Sequence, residues 1–184
     1  MGLLTKKEVP LITLETERLL IVPLTRKEFD EKLNSGFGGP SFTEAMEELS
    51  LRAKEDHPTR FAWYTNRLIY RKEDGAYIGS IACMNSPEKD PDRVGLIEIG
   101  YETEADFRGM GYMTEAIGAL CEWILLQDKV YGIIAGIHGD NPASARVLEK
   151  NGFILSDHSD TLSLDVWKRI PEGRRPMRFF ERFF

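Results

Sequence analysis

An α/β (α+β) fold built on a mixed sheet with helices on both faces is the class this sequence predicts, and three observations carry it. The predicted order is strand, two helices, three strands, helix, strand, helix, then one or two strands, neither a strict βαβ alternation nor a segregation of classes. Leu96 to Tyr101 sets Ile97, Ile99 and Tyr101 against Leu96, Glu98 and Gly100, the period of a strand. Behind Gly109 and Gly111, the residues Met113, Ile117, Leu120 and Ile124 recur at helical spacing.

The elements follow in chain order. Met1 to Val9 is a lead-in, and Leu14 to Leu24 reads as a first strand ended near Pro23. Thr25 caps a helix to about Leu33, with Glu28 completing a capping box. Asn34 to Pro40 is a glycine-rich loop, and a second helix runs from Ser41 to about Asp56, with Glu44 placed to complete its cap; His57-Pro58 stops it. Phe61 to Tyr70 and Ala76 to Met84 read as hairpin strands around Asp74-Gly75, followed by a polar loop from Asn85 to Arg93. The central strand, turn and helix extend to about Gln127, and Tyr131 to Ile137 is a further strand. Asn141-Pro142 opens a helix that Asn151-Gly152 closes. Phe153 to Ser156 and Leu162 to Trp167 form a last hairpin.

Length and composition narrow the function. At 184 residues the chain makes one domain with a real core. A net charge of −6 argues against non-specific nucleic-acid binding, which needs basic residues to neutralise phosphates. Cys83 and Cys121 lie in apolar segments and read as buried, reduced thiols. No apolar run spans a membrane, and Met1 to Pro10 lacks a signal-peptide core, so the expectation is a cytoplasmic protein with no membrane partner.

The turn before the central helix offers unpaired N–H groups and the positive end of the helix dipole to an anion, with glycine allowing close approach. It is not a dinucleotide fingerprint, because Thr114 stands where the third glycine belongs. No Gly-Lys-Ser/Thr triplet of a nucleotide P-loop occurs.

Two further stretches complete a pattern. Arg108-Gly-x-Gly-Tyr-x-Thr-Glu-Ala is followed by NPASARVLEKNGF from Asn141 to Phe153, and Glu15 to Leu24 reads ETERLLIVPL. In that order and spacing, these motifs resemble the GNAT superfamily of acetyl-CoA-dependent N-acetyltransferases, in particular the branch of ribosomal-protein alanine N-acetyltransferases. The resemblance covers about Leu14 to Trp167 and implies a single acetyltransferase domain across 1–184, with 173–184 as a C-terminal tail extension. It implies a mostly antiparallel sheet splayed between its fourth and fifth strands, with the pantetheine of acetyl-CoA in the gap. Gly100, Tyr101 and Glu102 are expected to bond the pantetheine through their main chain, Arg108, Gly109, Met110, Gly111, Tyr112 and Met113 to wrap the pyrophosphate, and Asn141 to hold the pantetheine. Asp106 departs from the family's Gln or Arg, which leaves more of the anion binding to Arg108 and the backbone.

Acyl transfer to an amine needs a neutral nucleophile, a stabilised oxyanion and a proton for the departing thiolate. An alkyl amine, with pKa near ~10.4, costs far more to deprotonate at neutral pH than an α-amino group near ~7.7–8.0, at about 1.36 kcal/mol per unit. Glu98, in an otherwise apolar strand, is the candidate base through water, unless it faces solvent or pairs with an arginine. His138 is the second candidate base, unless it is an ordinary loop histidine. Ser144 resembles the branch's proton donor to the thiolate, since Leu148 stands where many family members carry a tyrosine; otherwise Ser144 is a small polar residue of a first helical turn. Tyr112, Thr114 and Glu115 match the motif, and Glu115 also suits the helix dipole.

The early helices, the loop before Pro40 and the final hairpin are left to contact the amine. The acidic second helix (Glu44, Glu47, Glu48, Glu55, Asp56) reads as a solvated face rather than a cation trap. The tail RRPMRFFERFF, Arg174 to Phe184, carries enough apolar surface to dock on this body or on a second subunit of a homodimer. The leading function is acetyl transfer to a primary amine, on a peptide N-terminus or a small molecule, by direct attack in a ternary complex. The alternative is an acyl-CoA-binding sensor without turnover. No metal is implied.

Overall fold

The computed structural model describes residues 9–88, 95–159 and 164–174. Among these, the strands are β1 (Leu14–Glu15), β2 (Leu19–Pro23), β3 (Arg67–Arg71), β4 (Tyr77–Cys83), β5 (Leu96–Thr103), β6 (Gly132–His138), β7 (Ile154–Ser159) and β8 (Leu164–Arg169). They join in one sheet in the order β1-β2-β3-β4-β5-β6-β8-β7. Every pairing is antiparallel except β5 with β6. The helices are α1 (Arg26–Ser35), α2 (Pro40–Glu55), α3 (Tyr112–Leu125) and α4 (Pro142–Lys150).

Three local expectations change. Leu14 to Leu24 is not one strand: the chain reverses over Thr16 to Arg18, and β1 pairs with β2. The Thr16 hydroxyl accepts from the Leu19 N–H at 3.0 Å and the Thr16 N–H donates to the Leu19 carbonyl at 3.0 Å, so a side chain and the main chain close the turn together. Phe61 to Tyr70 is not strand throughout: Pro58–Trp63 is a 3-10 turn, and only Arg67–Arg71 is extended. The aromatic residues that suggest a strand there fill the core, where Trp63 meets Trp123 at 5.1 Å between rings. The second helix begins one residue before Ser41, with Gly39 at the cap and Pro40 in its first turn, so no Ser41–Glu44 box forms. The Thr25–Glu28 capping box is present as expected.

Helices cover both faces of the sheet. The stripe Met113, Ile117, Leu120 and Ile124 of α3 is buried against the face that carries Ile21, Ile69, Ile81 and Ile97. Burying each such side chain is worth about 1.5–3 kcal/mol. On that face Arg67, fully buried, stacks on Trp123 of α3 with its guanidinium 4.5 Å from the ring centroid. A bulge in β4 pairs Tyr77 with Tyr70 and so turns it to the other face, where Tyr70 already lies. There Tyr77 meets Phe37, which follows α1, and Phe37 meets Phe42 of α2. Cys83 and Cys121 are buried free thiols, and burial raises the pKa of each. Among the described residues no helix is long and apolar enough to cross a membrane. The tail expectation falls on 175–184, outside the described residues; Arg174 before it donates to the carbonyls of Val130 and Leu125 at 2.7 and 2.5 Å.

Candidate active site

β5 changes partner along its length. Its first residues pair with β6 at Leu96↔Gly132, Ile97↔Ile133 and Glu98↔Ile134, and there the pairing stops. Its later residues, Ile99 to Thr103, pair with β4 on the opposite edge, while β6 from Ile133 to His138 pairs with β8. The sheet therefore splits between these parallel strands, with Glu98 at the apex. Below the last β4 pair, Asn85 stands in for a strand: its Nδ2 donates to the Leu96 carbonyl and its Oδ1 accepts from the Glu98 N–H, both at 2.8 Å. Asn85 is buried, so these bonds satisfy groups that water does not reach.

The register decides which main-chain groups look into the gap. The Met84 N–H donates to the Glu98 carbonyl at 2.8 Å, and the Glu104 N–H to the Ile78 carbonyl at 2.9 Å. In an antiparallel ladder alternate residues aim both groups at the same neighbour, so Gly100 and Glu102 spend theirs on Ala82 and Ser80 of β4. Tyr101 and Thr103 face the gap. The expectation that Gly100, Tyr101 and Glu102 all offer main-chain bonds is corrected to Tyr101 and Thr103, and the Thr103 carbonyl already accepts from the Arg108 Nε at 3.0 Å.

Beyond β5 the chain makes a short 3-10 turn, Ala105–Phe107, and then the glycine turn. Gly109 and Gly111 hold φ of 74° and 79°, the left-handed region that an L side chain rarely adopts. Gly111 caps α3 with no side chain bonded to the first helical N–H groups. A cleft of about 480 Å³ opens over this turn, along Tyr101 and Glu102 to the start of α4. Arg108, Gly109, Gly111, Tyr112 and Met113 line it, whereas Gly100, Met110 and Glu98 do not. Arg108, Arg146 and Lys150 give its wall three cations against the single carboxylate of Glu102, on a chain whose net charge is −6.

Asn141 caps α4, its Oδ1 accepting from the Ser144 N–H at 3.1 Å, and both residues line the cleft. The Tyr101 hydroxyl donates to the Ser144 carbonyl at 3.4 Å. Burial raises the pKa of this phenol, which keeps it protonated. Leu148 is fully buried in the core and takes no part in the cleft.

Glu98, Gly100 and Glu102 share one face of β5, the face turned to α1 and α2. Glu98 is half-buried, at the apex. Glu102 lies four residues up the strand, about 13 Å away at a strand's rise. Its carboxyl is accessible, yet burial raises its pKa and the nearby Glu104 adds to this, against a 3.4 Å bond from Ser80 and the charge of Arg108. His138 and Asp106 are exposed, and neither lines the cleft. Among the described residues no cluster of His, Cys, Asp or Glu fits a metal ion.

Sequence reading missed Arg146 and Lys150 as cleft residues, although both lie within the Asn141 to Phe153 motif, four apart and thus on one helix face. It also missed the side chain of Tyr101, having assigned that residue a main-chain role only.

The fold and this site define the class, an α/β protein whose sheet parts between two parallel strands beside a cleft over a glycine turn. The chain belongs to the GNAT acetyltransferase family, whose Acetyltransferase (GNAT) domain matches residues 18–154. It is 31% identical over 133 residues to YjdG, an uncharacterized N-acetyltransferase of Bacillus subtilis, covering 72% of this chain and 76% of that protein. Its fold is similar to that of the ribosomal-protein-S5-alanine acetyltransferase of Vibrio fischeri, with a TM-score of 0.65 at 15% identity over 90% of this chain and 100% of that one. It is also similar to RimL, a ribosomal L7/L12 alpha-N-protein acetyltransferase solved in complex with coenzyme A, with a TM-score of 0.63 at 14% identity over 86% and 98% of the two chains.

Proposed function

We propose that this protein transfers an acetyl group from acetyl-CoA to a primary amine, on a protein N-terminus or a small molecule, by direct attack in a ternary complex. The observation that carries this reading is the cleft over the glycine turn, walled by Arg108, Arg146 and Lys150 and lying along the edge of β5 that has parted from β6. Main-chain donors of Gly109 to Met113, with Arg108, Arg146 and Lys150, suit a diphosphate. Main-chain groups of Tyr101 and Thr103 suit the amides of an extended pantetheine arm, and Asn141 lies beside its path.

When bound, acetyl-CoA supplies the thioester carbonyl that accepts the amine. An arm anchored at the turn and following β5 brings its thiol end to the apex, so Glu98 rather than Glu102 is placed to take the amine's proton through water. The new C–N bond forms as the C–S bond breaks, and Ser144, at the first turn of α4, gives its proton to the departing sulfur. The expected setting is the cytoplasm. The neighbours that act on ribosomal proteins favour an N-terminal amine among the acceptors.

Calorimetry with coenzyme A and acetyl-CoA, followed by thiol release across a panel of peptide and alkyl amines, tests the reading. Binding with turnover supports the enzyme. Binding without turnover on any amine favours the alternative, an acyl-CoA sensor, and absence of binding overturns both.

A further inference from the structure

We infer that Arg18, in the turn between β1 and β2, is a positioning residue for the anion-binding turn: it selects the orientation of the Met110–Gly111 peptide that aims the Gly111 N–H into the cleft. The inference rests on the proposed coenzyme A site and adds a residue that lies outside both the cleft wall and the glycine-turn motif it supports.

One side chain touches the whole turn from behind. Arg18 Nη1 donates to the Met110 carbonyl at 3.1 Å, and its guanidinium lies 4.5 Å from the Tyr112 ring centroid. Its Nη2 is 3.5 Å from where a Cβ on Gly111 would stand. Glu115, in the first turn of α3, fixes that guanidinium: Oε2 accepts from Nε at 2.7 Å, and Oε1 accepts from the Arg18 main-chain N–H at 2.9 Å and the Thr16 hydroxyl at 2.6 Å. Burial opposes the charge on Glu115, but these bonds outweigh it and lower its pKa, so the carboxylate is present at neutral pH.

The consequence follows from the planarity of the peptide. In a trans peptide the C=O and the following N–H point in opposite directions. With the Met110 carbonyl held outward by Arg18, the Gly111 N–H points the other way, to the side where Gly111 lines the cleft. Glycine at 111 makes the flipped peptide accessible at low cost, so the backbone alone does not choose. A flipped peptide would present a carbonyl to the diphosphate in place of a donor. Tyr112, stacked on the same guanidinium, fixes the entry of the helix behind it.

The test separates the diphosphate from the rest of the ligand. Coenzyme A and pantetheine, which lacks the diphosphate, are titrated into the wild-type protein and into Arg18→Ala, Arg18→Lys and Glu115→Gln. The expected result is a coenzyme A affinity about tenfold weaker or more in Arg18→Ala, with pantetheine affinity changed by less than about twofold. Steady-state KM for acetyl-CoA should rise in step while kcat holds. Arg18→Lys recovers part of the loss, because an ammonium also donates to the Met110 carbonyl. Equal weakening of both ligands, or no change in either, overturns the inference. Should Arg18→Ala not fold, Glu115→Gln and Arg18→Lys carry the same comparison between ligands. A wild-type protein without affinity for coenzyme A defeats the functional reading itself, whereas wild-type binding that Arg18 variants leave intact defeats only this inference.

Discussion

The Tyr101 hydroxyl sits 3.4 Å from the main-chain carbonyl of Ser144, tying the free edge of β5 to the first turn of α4 across the cleft. Two proton donors, a phenol and an alcohol, thus stand close together, and the proposed reaction needs one of them for its leaving thiolate. They differ in what holds them, since the phenol is engaged with the carbonyl while only the main-chain N–H of Ser144 is bonded to Asn141. Ser144→Ala is expected to lower kcat about 100-fold with little change in KM for acetyl-CoA, and Tyr101→Phe to lower it by less than about tenfold. Steady-state assays of both variants check this, and the reverse order would move the acid to Tyr101.

Glu98 marks the apex of the split, and its importance should depend on the acceptor. Glu98→Gln is expected to cost about 100-fold in kcat/KM with an alkyl amine at neutral pH and only a few-fold, about 2–5, with a peptide N-terminus, whose amine costs only about 1 kcal/mol to deprotonate there. Parallel assays on the two acceptors read out the ratio. An equal loss on both would argue that Glu98 supports the strand rather than the proton transfer.

Glu102 carries a cost that its removal should reveal. Its folded-state pKa is raised, chiefly by burial and then by Glu104, above the ordinary 4.5. The folded protein therefore holds the proton to higher pH than the unfolded chain, and stability falls as pH rises through that window and stays lower above it. Glu102→Gln is expected to raise Tm at pH 7 by about 1–3 °C, a small gain because the carboxyl is accessible and its charge is screened. The gain should vanish below the ordinary value of 4.5. Thermal melts at pH 7 and pH 4 measure it.

Asp56 has the opposite sign. Burial resists its charge, but bonds from the Ser86 hydroxyl, the Tyr64 hydroxyl at 2.7 Å and the His57 N–H at 2.6 Å, together with Arg60 at 3.0 Å, outweigh this and lower its pKa below the ordinary 3.8. Its contribution is present in full above 3.8 and is lost as pH falls through the folded value. Asp56→Asn is expected to destabilise the protein at pH 7 by about 1–3 kcal/mol, and by much less in acid. Urea melts at pH 7 and pH 3 distinguish the two. Since Ser86 adjoins Asn85, which holds Glu98, activity should fall with stability in this variant.

The sheet, its helices and the glycine turn were legible because each rests on local periodicity or on a residue with restricted choices. Ile97, Ile99 and Tyr101 alternate, Thr25 and Glu28 cap each other, and Gly109 and Gly111 mark positive φ. Aromatic residues misled, since Phe61 and Trp63 suit a strand and a core equally well, and only packing on Trp123 chooses. The reversal at Thr16 is closed by one hydroxyl and one main-chain bond inside an otherwise strand-like run. Arg18 and Glu115 lie 97 residues apart, and nothing local to either announces the other. Main-chain direction along β5 was beyond reach for a different reason: it follows from the register with β4, which a strand's own residues do not encode.

The change of partner along β5 leaves a bare strand edge in the interior of a sheet rather than at its rim. Rim edges are hazards because another protein's strand can add to them. This one is walled in by β6 and α4, and a folded neighbour is too bulky to enter. On the proposed function this edge takes a single thin, extended chain bearing amides, so that the defect in the sheet would act as a filter whose filling completes the missing rungs.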